Sequence, residues 1–164
     1  KNVKTIIIPR HIDRVNEILV SLNKMGLKTQ VKNENDNIND DAEIIIINYY
    51  GSVLKYYEKF KQIFIGKSLI KKFKNDGGQN PIDAARMGCF IYHGPYVSNF
   101  KEIYDYLDTE NISNNIEDKN ILAEKLISNF NSNFAENNKK IDKFNKYSKE
   151  IFQQVIKEYE SIIL

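Results

Sequence analysis

Arg10, at the end of "TIIIPRH" (5–11), is the first residue in the chain equipped to hold an anion. Its guanidinium stays charged at any physiological pH and offers a planar fork of donors that matches a phosphate. Pro9 precedes it and His11 follows. A lone histidine there caps the next helix or stays near the surface as readily as it binds. The second candidate is "GGQNPIDAARMG" (77–88). Gly77 and Gly78 permit a tight turn and a close approach to the backbone. Asn80 is a good N-cap, Pro81 suits the first helical position, and Asp83 stands where a capping-box acid belongs. The amino end of such a helix has unpaired N–H groups and partial positive charge. Gly78, Gln79, Asn80, Pro81, Ile82 and Asp83 therefore read either as an anion or polar-ligand site or as a well-capped short helix after a surface turn. The third candidate is "NYYGS" (48–52), where Gly51 allows close approach and Tyr49 and Tyr50 can stack on a base or sugar. Together the three strand-end features converge on one crevice and point to an anionic or polar ligand.

Other signals have bland readings. "NFKE" (99–102) reads as a capping box with Asn99 as the cap and Glu102 at the third helical position. "KKFK" (71–74) is a solvated charge run or a weak guide for an anionic substrate. Cys89, the single cysteine, lies in the apolar run "MGCFIY" and reads as a buried structural thiol. The sequence contains no GxGxxG after the first strand, no GxxxxGK[ST], CxxC, HExxH or GxSxG. His11 and His93 have no carboxylate cluster at ligand spacing, so neither a metal nor a cofactor is expected. A net charge of +2 with no basic stripe argues against nucleic acid. There is no signal peptide and no long apolar span, so a soluble piece is expected. The opening "KNVKTIIIP" lacks a methionine and reads as part of something longer.

The elements that must position these residues come from hydrophobic runs. "TIIIP" (5–9), "LKTQV" (27–31), "EIIIIN" (43–48), "QIFIG" (62–66) and "CFIY" (89–92) read as strands. "HIDRVNEILVSLNKMG" reads as a helix stopped by Gly26, and "SVLKYYEKF" and "IDAARM" as two more. Continuous apolar strands alternating with helices predict an α/β fold, a Rossmann-like parallel sheet with helices on both faces. Ligands of such sheets bind beyond the carboxyl ends of the strands, where all three candidates lie. Residues 1–116 are expected to form the α/β core and 117–164 a C-terminal helical segment of the same domain. The closing "IFQQVIKEYESIIL" carries more apolar surface than a free tail should, so it caps the sheet or packs on a neighbour.

Taken together, "IIIPRHIDRVNEI", "NYYGSVLKYYEKFKQIFIGKSL" and "GGQNPIDAARMGCFIYHGPYVSNFKEI" resemble the carboxyl-terminal half of 3-deoxy-D-manno-octulosonic acid (Kdo) transferases. These are two-domain, GT-B-type glycosyltransferases of bacterial lipopolysaccharide assembly. The resemblance covers about residues 5 to 107 and implies that this half binds the donor CMP-Kdo, with an amino-terminal acceptor domain absent. It places Pro9 and Arg10 at the phosphate and Tyr49, Tyr50 and Gly51 along the nucleotide pocket. It brings Asn80 through Asp83 to the nucleotide, with Gly78 and Gln79 shaping the approach. The chain departs from the family at Gln79 (usually histidine), Asp83 (glutamate), Ser52 (glutamate) and Lys67 (glycine), and Lys67 either adds a phosphate contact or faces solvent. The resemblance also implies a lipid A precursor as acceptor and work at the cytoplasmic face of the inner membrane. The catalytic base would lie in the missing half, leaving no catalytic residue in this chain and the piece alone inactive. A UDP-sugar transferase or epimerase domain is the alternative, and a non-enzymatic α/β interaction module a further one.

Overall fold

Four successive isoleucines, Ile44–Ile47, form the strand on which the first part of the fold is built. Three of them, Ile45, Ile46 and Ile47, are fully buried. Each fully buried isoleucine contributes roughly 1.5–3 kcal/mol, and its branched Cβ favours the extended backbone. In the computed structural model, which describes residues 3–130 and 137–163, this strand is flanked on both sides. β1 (Thr5–Ile7), β2 (Thr29–Lys32) and β3 (Ile44–Ile47) make a parallel sheet in the order β1-β3-β2. Ile7 pairs with Ile46, and Lys32 with Ile47, so the three strands end at the same rim. A 3-10 turn (Ile12–Arg14) leads into α1 (Val15–Lys24), and Gly26 at φ 74° ends it as its position predicts.

The chain divides into two compact units, Lys1–Val53 and Leu54–Leu164, each described by itself. In the second, β4 (Gln62–Phe64), β5 (Phe90–His93) and β6 (Ser113–Asn115) form another three-stranded parallel sheet in that order. β5 is central, with Ile91, Tyr92 and His93 buried. α2 (Val53–Lys59), α3 (Ile82–Arg86) and α4 (Lys101–Thr109) run between the strands. The core gathers Ile65, Ala84, Ala85, Cys89, Ile91, Val97, Tyr104, Leu107, Ile112 and Phe144. Cys89 donates to the carbonyls of Tyr57 and Phe60, and burial pushes its thiol up to about 11, the behaviour of an inert packing residue.

Three local expectations are corrected. β6 has no apolar residue and was not expected as a strand; its backbone pairs with β5, Ser113 opposite Ile91. Asn99 does not cap α4, because its side-chain amide donates to the Asp76 carbonyl instead, and a 3-10 turn (Ser98–Phe100) enters the helix. The lysine run 71–74 is not a plain loop, since Lys71–Phe73 form a 3-10 turn.

α5 (Lys119–Ser128) is capped by Asp118, whose carboxylate accepts from the amides of Asn120 and Ile121. α6 (Asn137–Ile163) packs through its first half, where Phe144 is 2% exposed and Tyr147 stacks on Tyr106 at 3.8 Å. Its second half, including Ile151, Phe152, Val155 and Tyr159, is exposed. Among the described residues no helix is long and apolar enough to cross a membrane.

Candidate functional site

The first rim lies beyond β1 and β3. Because Ile7 and Ile46 are register partners, residues 9–11 and 48–51 leave the sheet side by side. Arg10 and His11 are exposed and Pro9 is half-buried. Tyr50 is 67% exposed, whereas the Tyr49 hydroxyl and the Ser52 hydroxyl are buried without a hydrogen-bond partner among the described residues. Gly51 holds φ 80°, and a Cβ there would meet open space. Its glycine serves backbone conformation, and the surface in front of it is free.

Lys32 completes this rim and was not anticipated. It is buried, with its ammonium donating to the carbonyls of Asn33, Glu34 and Asp36 and lying 5.7 Å from the centre of the Tyr49 ring. Carbonyl oxygens make this burial tolerable, since a buried ammonium needs acceptors. The polar loop after β2 is thus folded around a cation. The Asn48 amide donates to Asn33 at 3.0 Å and fixes that loop to the end of β3.

The second rim lies beyond β4 and β5, and three loops meet there through their backbones. A Cβ on Gly77 would fall 2.3 Å from the Tyr96 oxygen, and one on Gly78 2.9 Å from the Val97 Cα. A Cβ on Gly94 would fall 2.3 Å from the Ser68 oxygen. What approaches the paired glycines is therefore the protein's own strand-end loop. Ser68 holds the junction from inside, donating to the Ile65 carbonyl at 2.7 Å and accepting from the Gly94 amide at 2.9 Å. Gly78, at φ 83°, donates its amide to the Lys67 carbonyl at 2.8 Å.

From this junction the chain enters α3. The Asn80 side chain accepts from the Ile82 amide at 2.9 Å, so it caps the helix start as its residue type predicts. Pro81 is buried with helical dihedrals, although regular helix begins at Ile82. Asp83 is exposed, and the return bond of a capping box is not formed among the described residues. The Gln79 carbonyl accepts from the Tyr104 hydroxyl at 2.8 Å, and the Tyr104 ring lies 4.3 Å from that of His93. Burial pushes the Tyr104 hydroxyl well above its ordinary value, keeping it a neutral donor to Gln79.

His93 forms a buried cluster that the sequence reading missed. Its Nε2 faces Asp108 Oδ1, its Nδ1 faces the Gly94 carbonyl, and Ser113 donates to the same carboxylate oxygen. Burial works to raise the Asp108 carboxyl, but the hydrogen bonds from His93 and Ser113 prevail and hold it below its ordinary value. Asp108 lies fifteen residues from His93, on a helix, so no local spacing announces the pair.

Lys67, one of the departures from the family pattern, also lies at this rim. It sits at φ 61°, a left-handed conformation that costs a residue with a Cβ about 1–2 kcal/mol. Its ammonium pairs with Asp76 at 2.9 Å and lies 5.5 Å from the centre of the Phe73 ring. Among the described residues no three of His, Cys, Asp and Glu gather where a metal ion could sit. A depression of about 260 Å³ lined by Lys4, Lys28, Asp40, Asp41 and Glu43 lies at the amino ends of the first unit's strands, away from its rim.

No family model matches the chain. It is 23% identical over 125 residues to a 3-deoxy-D-manno-octulosonic acid transferase of Aquifex aeolicus, covering 76% of this chain and 33% of that protein. It is 26% identical over 106 residues to the transferase of the same description from Haemophilus influenzae, covering 65% of this chain and 24% of the relative. A bifunctional glycosyltransferase/methyltransferase of Fusobacterium nucleatum is 29% identical over 105 residues, 63% of this chain and 16% of its own length. The chain thus spans a third or less of the curated relatives that it matches. Among solved structures it is similar to the C-terminal CMP-Kdo binding domain of WaaA from Acinetobacter baumannii. The TM-score is 0.73 at 19% identity, over 87% of this chain and 72% of that one. The expected parallel α/β fold and the expected resemblance to the carboxyl-terminal part of a Kdo transferase are both borne out.

Proposed function

We propose that this chain, with the sequence and fold likeness just described, is the donor-binding half of a glycosyltransferase that moves Kdo from CMP-Kdo to a lipid A precursor. The observation that carries the reading is the likeness over 87% of the chain to a domain described as CMP-Kdo binding. Residues 1–116 would supply the nucleotide-sugar-binding α/β core and 117–164 its helical extension. A separate amino-terminal domain would receive the acceptor at the cytoplasmic face of the bacterial inner membrane.

Each rim has a task in this reading. Arg10, next to Pro9 and His11, meets the donor phosphate as an exposed cation at a strand end. Tyr49 and Tyr50 offer ring faces to the cytosine or ribose, beside the open surface at Gly51. Gly78 and Gln79 set the path of the backbone, and Asn80, Pro81, Ile82 and Asp83 present the second rim to the nucleotide.

In transfer from a CMP donor, negative charge grows on the departing phosphate while the sugar becomes oxocarbenium-like. A cation held where that charge develops lowers the barrier, and Arg10 would be that cation. The acceptor hydroxyl also needs a base, which belongs to the amino-terminal domain. The chain alone binds donor and catalyses nothing.

Calorimetry with CMP and UMP tests the reading. The chain should bind CMP in the millimolar range or tighter, and UMP more weakly. No heat with either nucleotide would contradict it, and a preference for UMP would favour a UDP-sugar enzyme.

A further inference from the structure

We propose that Lys32 is a positioning residue for the donor nucleotide: from inside the loop after β2 it sets the Tyr49 ring for a cytosine or ribose. The inference rests on the donor-binding reading above and stays within the first unit. It gives a role to a residue which that reading did not use.

Lysine is among the residues least often buried, because its ammonium gives up water that something must replace. Lys32 is 6% exposed. The backbone carbonyls of Asn33, Glu34 and Asp36 take the place of water, one for each ammonium proton. The ammonium therefore shapes the loop instead of reaching for a ligand, and the chain from 33 to 36 closes around it. Asp36 braces the closed loop, its carboxylate accepting from the Asn33 amide at 2.8 Å and from the Asn33 side chain at 2.9 Å. Two bonds fasten it to the exit of β3. The Asn48 amide donates to the Lys32 carbonyl at 2.9 Å, and the Asn48 side chain donates to that of Asn33 at 3.0 Å.

Tyr49 is the next residue along. Its hydroxyl has no hydrogen-bond partner among the described residues, so the ring is not fixed from that end. The Lys32 ammonium lies over the ring, 5.7 Å from its centre, within reach of a cation–π attraction. The ammonium takes one face, and the opposite face is the one left for a base or sugar to stack on. An apolar side chain at position 32 would leave three carbonyls without their donor and one face of Tyr49 without its cover. The ring would then have more than one resting place. A nucleotide stacking on it would first have to order it, and that cost appears as lost affinity.

The test is a CMP titration of the parent, Lys32→Met, Tyr49→Ala and the double variant, with tyrosine rings followed by NMR. Lys32→Met, which keeps the length of the side chain and loses its charge, should weaken CMP binding by roughly threefold or more. In the Tyr49→Ala background the same change should cost less than about 1.5-fold, because the residue through which it acts is gone. Saturating CMP should shift the Tyr49 ring signals of the parent, identified by their loss in Tyr49→Phe, and shift them far less in Lys32→Met. Should Lys32→Met fail to fold, Asn33→Ala carries the test, since it unfastens the loop from Asn48 and leaves the lysine in place. It should show the same dependence on Tyr49, and unaltered affinity there would overturn the inference. Parent-like binding by Lys32→Met, or an equal loss with and without Tyr49, would overturn it while the donor-binding reading stands. A parent that binds no CMP would overturn the donor-binding reading itself and this inference with it.

Discussion

His93 and Asp108 face each other at 3.1 Å inside the second unit, while the other ring nitrogen of His93 faces the Gly94 carbonyl at 2.9 Å. Both imidazole nitrogens therefore meet acceptors, with His93 only 1% exposed and Tyr104 against its ring. The pair ties the end of β5 to α4, and through Gly94 to the loop junction at Ser68. Asp108→Ala should cost about 2–4 kcal/mol, because it strands a buried ring nitrogen and the Ser113 hydroxyl. Urea unfolding measures this, and a loss under about 0.5 kcal/mol would show that the cluster does not hold the fold.

The same carboxylate sets a pH dependence. Its folded pKa is depressed below the unfolded value, so its contribution is complete above the unfolded pKa of about 4. That contribution is lost as pH falls through the folded value, because the unfolded chain takes up its proton first. Between pH 6 and 3 the urea midpoint of the parent should fall more steeply than that of Asp108→Asn. Parallel curves would contradict the assignment.

Two glycines with different surroundings should respond differently to alanine. Gly77→Ala would drive a methyl group to within 2.5 Å of both the Tyr96 and Phe73 oxygens, and backbone atoms cannot step aside cheaply. It should cost about 3 kcal/mol or more. Gly51→Ala meets open space and carries only the conformational penalty of its φ 80°, about 1–2 kcal/mol. Thermal melts of the two variants should separate clearly, with Gly77→Ala the lower.

The two halves of α6 should likewise differ. Phe144→Ala empties a core position and should cost about 3–5 kcal/mol. Phe152, 64% exposed, should cost less than about 0.5 kcal/mol when replaced by alanine. A comparable loss at both sites, measured by chemical denaturation, would mean that the second half of the helix packs on the chain after all.

Much of this architecture is readable from residue types, and the exceptions have physical reasons. Ile44–Ile47 can only be a buried strand, Gly26 ends α1, and Asn80 caps α3, each for a local cause. That residues 9–11 and 48–51 share a rim follows from parallel pairing, as the register of Ile7 with Ile46 bears out. β6 was hidden because a Ser-Asn-Asn strand has no hydrophobic pattern, only a backbone ladder with β5. The paired glycines signalled a close approach, but not that Tyr96 and Val97 make it. His93 with Asp108, and Lys32 within its loop, depend on tertiary contacts that composition does not record.

That Arg10 meets the phosphate of a CMP donor is tested most directly by a CMP titration followed by amide NMR. Removing a charged hydrogen bond costs about 1.5–3 kcal/mol, so Arg10→Ala should weaken binding by roughly ten- to a hundredfold. The amides of Arg10 and Gly51, which leave the same rim of the first sheet, should shift together with a single dissociation constant. Saturating CMP that leaves those two amides unmoved, or binds Arg10→Ala undiminished, would contradict that role for Arg10.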